Sequence, residues 1–320
     1  MARSVDVPTL VEQAGPGSAR AVARLISMVE DADPALRQVM AALAPLTGRA
    51  VVVGLTGSPG VGKSTTTSAL VSALRAQGRR VGVLAVDPSS PFTGGALLGD
   101  RVRMQEHALD PGVFIRSMAT RGHLGGLARA TPQAVRVLDA AGCDLVLVET
   151  VGVGQSEVEV AALADTTIVL LAPGMGDGIQ AAKAGILEVG DIFVVNKADR
   201  DGADATMRDL GTMLSLGERR GPDDWRPRVL KTVAAQGTGI DELVETLTRH
   251  RDWLEASGEG RVRRLRRAGA EVEAIAVLAL RSQIGDLHSG RLLPELAAEV
   301  AAGRTDPYAA ADRLIAGLTG

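Results

Sequence analysis

The chain has 320 residues, 46% of them apolar, enough for one large domain with appended elements or two modest ones. A net charge of −3 gives no overall electrostatic case for nucleic acid or an acidic membrane, and 2% aromatic residues leave little for single-stranded bases to stack on. One cysteine excludes an internal disulfide and fits a reducing compartment. The N-terminal MARSVDVPTL lacks an apolar signal core, and no run reaches the ~18 apolar residues of a membrane span. A soluble, cytoplasmic protein is expected.

Residues 1–47 read as a helical extension broken at GPGS, Gly15 to Ser18. Val22, Leu25, Ile26 and Val29 recur there at helical spacing. From residue 48 the period changes. Short, continuous β-branched runs fall at 49–57, 79–87, 144–150, 166–174 and 191–199, with shorter candidates at 112–117 and 227–235. Helical segments such as 63–77, 131–141, 179–189 and 239–256 lie between them. That alternation predicts an α/β fold, a mainly parallel sheet of the P-loop NTPase kind with helices on both faces, over 48–258. Cys143 stands at the entry to an apolar run and reads as a small buried residue. The tail, 259–320, has no strand-like run and predicts three helices parted near Ser289 and Asp306. Its RVRRLRRAG carries five arginines, read as a solvated helix face. Val262, Leu265, Val272 and Ile275 form an apolar seam beneath them, as a packing or dimerising helix would.

Ligands of such sheets bind at the carboxyl ends of the strands, and the motifs fall there. GSPGVGKST, Gly57 to Thr65, contains G-x-x-x-x-G-K-[ST] in full between a strand and a helix. The loop of Gly57, Ser58, Pro59, Gly60, Val61 and Gly62 would wrap a β-phosphate, its glycines letting backbone N–H groups face the phosphate, and Thr65 continues that loop into the helix. Lys63 would place a cation on the β- and γ-oxygens, and the Ser64 hydroxyl would reach Mg²⁺. In VVNKAD, Asp199 can accept both N1–H and the exocyclic amine of guanine, whereas adenine would face it with an acceptor. Asn196 would brace the loop and the Lys197 stem would cover one face of the base. GTP is the expected nucleotide. KTVAAQGTG supplies the last base-contacting loop, with Ala234 or Ala235 N–H near guanine O6; Val233 replaces the serine more usual there.

ETVGVGQSE stands where small GTPases carry Asp-x-x-Gly. Glu149 can hold Mg²⁺ directly or through water, and the Gly152 N–H can sense a γ-phosphate. Asp87 ends the second strand as a metal-shell or water-ordering group. Asp100 and Arg103 follow, the first able to join the shell and the second to reach a phosphate, or the two to form a surface ion pair. Gln155 invites comparison with a water-positioning glutamine, but it stands three residues after the glycine.

With DPSSPFTGGALLGDRVRM, MATRGHLGGLA, ETVGVGQSEVEV and PGMGDGIQAAKAGI beside the phosphate loop and VVNKAD, the sequence resembles the MeaB/ArgK/MMAA family of P-loop GTPases, over about residues 15–256. The resemblance implies a GTPase that gates adenosylcobalamin delivery to an acyl-CoA mutase, typically methylmalonyl-CoA mutase, and protects it. By position it makes Lys63, Asp87, Asp100 and Glu149 the charged residues around nucleotide and Mg²⁺. It also makes the loop with Asp177, Gln180 and Lys183 a partner-coupling segment and 259–320 a dimerisation arm. Other readings are a nickel-insertion GTPase, an ATPase or kinase of a lysine/arginine/ornithine uptake system, and a chromosome- or septum-positioning ATPase. Four scattered histidines and one cysteine suit the first poorly. Asn-Lys-x-Asp speaks against ATP in the second, and Ser58 stands where the third would carry a lysine.

Overall fold

The computed structural model describes residues 6–87, 105–119, 130–150, 156–174, 187–216, 221, 223–288 and 292–319. Within these, the chain divides into two compact units, Met1–Arg263 and Arg264–Gly320.

The first unit begins with helices α1 (Val7–Ala14), α2 (Ala19–Glu30) and α3 (Leu36–Leu43). Asp6 caps α1 by accepting from the Thr9 amide, and Ser18 caps α2 through the Ala21 amide. The break at 15–18 falls where GPGS predicts it. The apolar stripe of α2, with Val22, Leu25, Ile26 and Val29, is buried.

Seven strands follow: β1 (Val51–Thr56), β2 (Val81–Asp87), β3 (Val113–Ala119), β4 (Leu145–Thr150), β5 (Thr166–Leu171), β6 (Ile192–Asn196) and β7 (Arg228–Thr232). They form one sheet, ordered β3-β2-β4-β1-β5-β6-β7, and every pairing is parallel. The connecting helices include α4 (Lys63–Ala76), α5 (Thr131–Ala140), α6 (Ser156–Leu163), α7 (Ala203–Leu216) and α8 (Ile240–Ser257). The expected helix at 179–189 lies largely outside the described residues; 187–189 are helical.

The central strands are buried on both faces, which is why they read as unbroken apolar runs rather than alternating ones. Val52, Val146 and Val148 point to a core shared with α2 and α5. Val53, Leu55 and Leu147 point to the opposite core, shared with α4 and α8. Cys143 is buried in the first core, and burial pushes its thiol up to about 12, so it stays protonated.

The amino ends of the strands are tied by carboxylates. Ala50 donates to Asp139 Oδ1 at 2.9 Å, Val52 to Asp165 Oδ2 at 2.9 Å, and Thr167 to Asp191 Oδ2 at 2.8 Å. Each satisfies a strand amide at the point where the ladder begins.

Helix α9 (Glu259–His288) follows α8 after Gly258, whose left-handed φ of 76° ends α8. The second unit holds the rest of α9 with α10 (Leu292–Ala301) and α11 (Pro307–Thr319). Leu296 and Ala310 are buried, Arg313 bonds Glu299 at 2.7 Å, and Asp306 caps α11 through the Tyr308 and Ala309 amides. Val262, Leu265, Val272 and Ile275 of α9 are all exposed. Arg263 departs from the solvated-face reading. Its guanidinium turns inward, giving Asp191 two bonds of 3.0 Å and the Asp165 carbonyl a third of 3.0 Å. A carboxylate at the start of β6 offers a better partner than water.

Candidate nucleotide site

At the carboxyl end of β1 the chain enters the glycine loop in a conformation few residues adopt. Gly57 has φ +139°, and a Cβ there would stand 2.2 Å from the Leu170 carbonyl oxygen of β5. Gly62 has φ +99°, and a Cβ there would meet the Asn196 amide nitrogen at 2.4 Å. Both positions therefore need glycine for backbone angle and for space. The loop ends at Lys63, the first residue of α4, so the amides of the helix N-terminus face the loop's concavity, an arrangement suited to phosphate.

Lys63 is buried, and its ammonium donates to the Gly57 carbonyl at 2.7 Å and the Ser58 carbonyl at 3.2 Å, which holds it across the loop. The Ser64 hydroxyl donates to Glu149 Oε1 at 2.6 Å, and the Thr67 hydroxyl stands 2.9 Å from Glu149 Oε2. All three side chains are buried. A hydroxyl and a carboxylate in contact form a hard-oxygen pair of the type Mg²⁺ takes, with phosphate and water able to complete its shell. Among the described residues no group of three or more His, Cys, Asp or Glu is gathered as a metal cluster.

The VVNKAD loop closes against this loop from β6. Asn196 is buried; its side-chain amide donates to the Val61 carbonyl at 2.9 Å, while its oxygen accepts from the Thr232 hydroxyl and the Ala234 amide, both at 3.1 Å. One side chain thus ties the phosphate loop, β6 and the loop after β7 together. Lys197 takes a left-handed φ of 57° and reaches the Gly60 carbonyl at 2.6 Å. Asp199 is exposed beyond it.

The Ala234 N–H donates to Asn196, and Val233 is paired to Thr238 across the turn. Beside these residues lies a cleft of about 650 Å³ lined by Thr65, Ser68, Ala69, Ala234, Ala235 and Asp241.

Asp87 closes β2 beside β3 and one strand away from Glu149 in β4. The readings of its side chain, of Asp100, Arg103, Gly152 and Gln155, and of Asp177, Gln180 and Lys183 lie outside the described residues. Thr67 was not singled out by the motif, although it stands one turn after Ser64 on the same helix face.

The sequence profile for methylmalonyl Co-A mutase-associated GTPase MeaB matches residues 22–286. The chain belongs to the MeaB family. A protein of Pyrococcus abyssi assigned as a GTPase is 47% identical over 98% of this chain and 97% of its own length. The mouse protein described as the methylmalonic aciduria type A homolog, mitochondrial, is 44% identical over 67% of this chain and 52% of its own. The crystal structure of a LAO/AO transport system kinase superposes over the full length of both chains with a TM-score of 0.72 at 28% identity. This MeaB-family chain is a P-loop GTPase, and a GTPase binds GTP and GDP. Among its described residues no helix is long and apolar enough to cross a membrane.

Proposed function

We propose that this MeaB-family GTPase acts in the cytoplasm as a chaperone for an adenosylcobalamin-dependent acyl-CoA mutase, methylmalonyl-CoA mutase or a close relative, gating cofactor delivery and protecting the mutase during turnover. The observation that carries this reading is the match of the mutase-associated family over residues 22–286, from α2 through most of α9.

In this reading the glycine loop and Lys63 hold the β- and γ-phosphates, Asp199 with Asn196 and Lys197 reads guanine, and the Ala235 amide faces O6. Ser64 and Glu149, with Asp87 and Asp100, would hold Mg²⁺, which when bound would supply positive charge to the phosphates. Asp177, Gln180 and Lys183 belong to the segment that couples hydrolysis to the partner. The site offers positioning and charge but no evident general base among the described residues. The protein alone therefore turns GTP over slowly, and a partner that completes the transition-state contacts stimulates it by about 10³–10⁵-fold. Mixing it with the cognate mutase and following GTP hydrolysis and mutase lifetime together tests this. Stimulated hydrolysis and a longer lifetime are expected. No change in either, with no nucleotide-dependent complex, overturns the chaperone reading.

The domain reading is a helical extension at 1–47, the GTPase domain at 48–258 and a dimerisation arm at 259–320. The support is the exposed apolar seam of Val262, Leu265, Val272 and Ile275, which calls for an apolar partner. Light scattering of the full chain should give a dimer, and truncation at Gly258 a monomer.

A further inference from the structure

Glu149 differs from the shorter aspartate common at this strand end by one methylene, and so by one more rotatable bond. A carboxylate on that longer stem, held at one oxygen only, still rotates about its last torsion, and the ordering entropy must be met each time a cation binds. The structure holds it at both oxygens. The Ser64 hydroxyl is 2.6 Å from Oε1 and the Thr67 hydroxyl 2.9 Å from Oε2. Glu149 is 4% exposed and Thr67 0%, so water does not compete for either contact.

Thr67 carries one hydroxyl hydrogen and has two acceptors in range, Glu149 Oε2 and, at 3.0 Å, the Lys63 carbonyl one turn back. The second is the default bond of a threonine inside a helix. The first is charge-assisted and about twice as strong, so it takes the hydrogen. Ser64 gives its hydroxyl hydrogen to Oε1. The two hydroxyls thus fix the plane of the Glu149 carboxylate, one of them itself a metal ligand in waiting and the other not.

From this geometry we infer that Thr67 is a positioning residue for the cation site, acting through Glu149 rather than on the nucleotide. The inference rests on the Mg²⁺ reading proposed above. Partners that orient metal ligands typically set about 10–100-fold in metal affinity.

The test uses the full chain loaded with GDP, with Mn²⁺ as a paramagnetic probe titrated by electron paramagnetic resonance. Thr67→Val should weaken Mn²⁺ binding by about 10–100-fold, with GDP affinity in EDTA unchanged and the melting curve still cooperative. Thr67→Ser, which keeps the hydroxyl, should restore most of the loss. In a Glu149→Asp background the carboxylate is one methylene short of the hydroxyl, so Thr67→Val should add little. Should the valine variant not fold, Thr67→Ala removes the same hydroxyl without added bulk and is read the same way. Wild-type Mn²⁺ affinity in both hydroxyl-free variants, or an equal loss in Thr67→Ser, overturns the inference while leaving the cation site standing. A wild-type GDP complex that binds no Mn²⁺ overturns the inference and the cation site together.

Discussion

The two ends of the sheet carry similar residue types and use them in opposite ways. At the amino end, Asp139, Asp165 and Asp191 each accept a strand amide, Arg263 is bonded to Asp191, and both tryptophans of the chain enclose His250, with ring centroids at 4.6 and 5.6 Å. Polar groups there pair mainly with one another, and the result is a lock. At the carboxyl end, Ser64 bonds Glu149, while Lys63 and Asn196 bond carbonyls of the glycine loop at the mouth of α4. Those contacts hold donors in place for a ligand, so the same chemistry yields a site. Loop backbone makes the difference: at the carboxyl end, Gly57 and Gly62 keep side chains out of the concavity.

The comparison predicts that substitutions at the two ends separate activity from stability. The largest effect belongs to Lys63→Ala, which should lower single-turnover GTP hydrolysis by about 10²–10³-fold and leave the melting temperature near the wild-type value. Hydrolysis near the wild-type rate would remove Lys63 from the reaction.

Asp191→Ala should do the reverse. It leaves the Arg263 guanidinium with the Asp165 carbonyl and Glu259, 3.5 Å away, and strips the Thr167 amide of its acceptor. A loss of about 3 kcal/mol in urea unfolding is expected, with hydrolysis per folded molecule unchanged.

A smaller effect comes from His250. Its Nδ1 meets the Thr166 hydroxyl at 2.8 Å, while Nε2 faces Asp191 Oδ1 at 3.4 Å without a hydrogen bond. Burial holds the imidazole down to about 4, outweighing the attraction of Asp191, with Arg263 adding to the fall and Asp165 opposing it. The unfolded chain takes up this proton near 6.5 and the folded protein only near 4, so acid favours unfolding. The His250 contribution is intact above pH 6.5, declines as pH falls to 4, and changes no further below. Between pH 7 and 5 that amounts to about 2 kcal/mol, and His250→Asn should reduce the pH dependence of unfolding by that much.

Much of this is legible in the sequence. The strands announced themselves because burial on both faces leaves no polar alternation to confuse with a helix, and the phosphate loop because its spacing has few other uses. Helices α6 and α7 were less visible. SEVEVAAL puts apolar residues all round a short helix, and α7 buries only Ala203, Thr206 and Leu210. Pairings distant in sequence were not legible either. Nothing around Arg263 indicates that it turns from the arginine run to a carboxylate 72 residues earlier. Nor does the motif show that Asn196 takes the Ala234 amide, or that Thr67 reaches across to β4.

The claim that the carboxyl end reads a guanine nucleotide is tested most directly by Asp199→Asn. Calorimetric titration of wild type and variant with GDP and XDP separates base reading from phosphate binding, since both ligands present the same phosphates to Lys63 and the glycine loop. The account predicts that the variant loses about 10²-fold or more in GDP affinity, as befits charge-assisted bonds, and gains affinity for XDP, whose C2 carbonyl accepts from the new amide. Unchanged GDP affinity in the variant would contradict it.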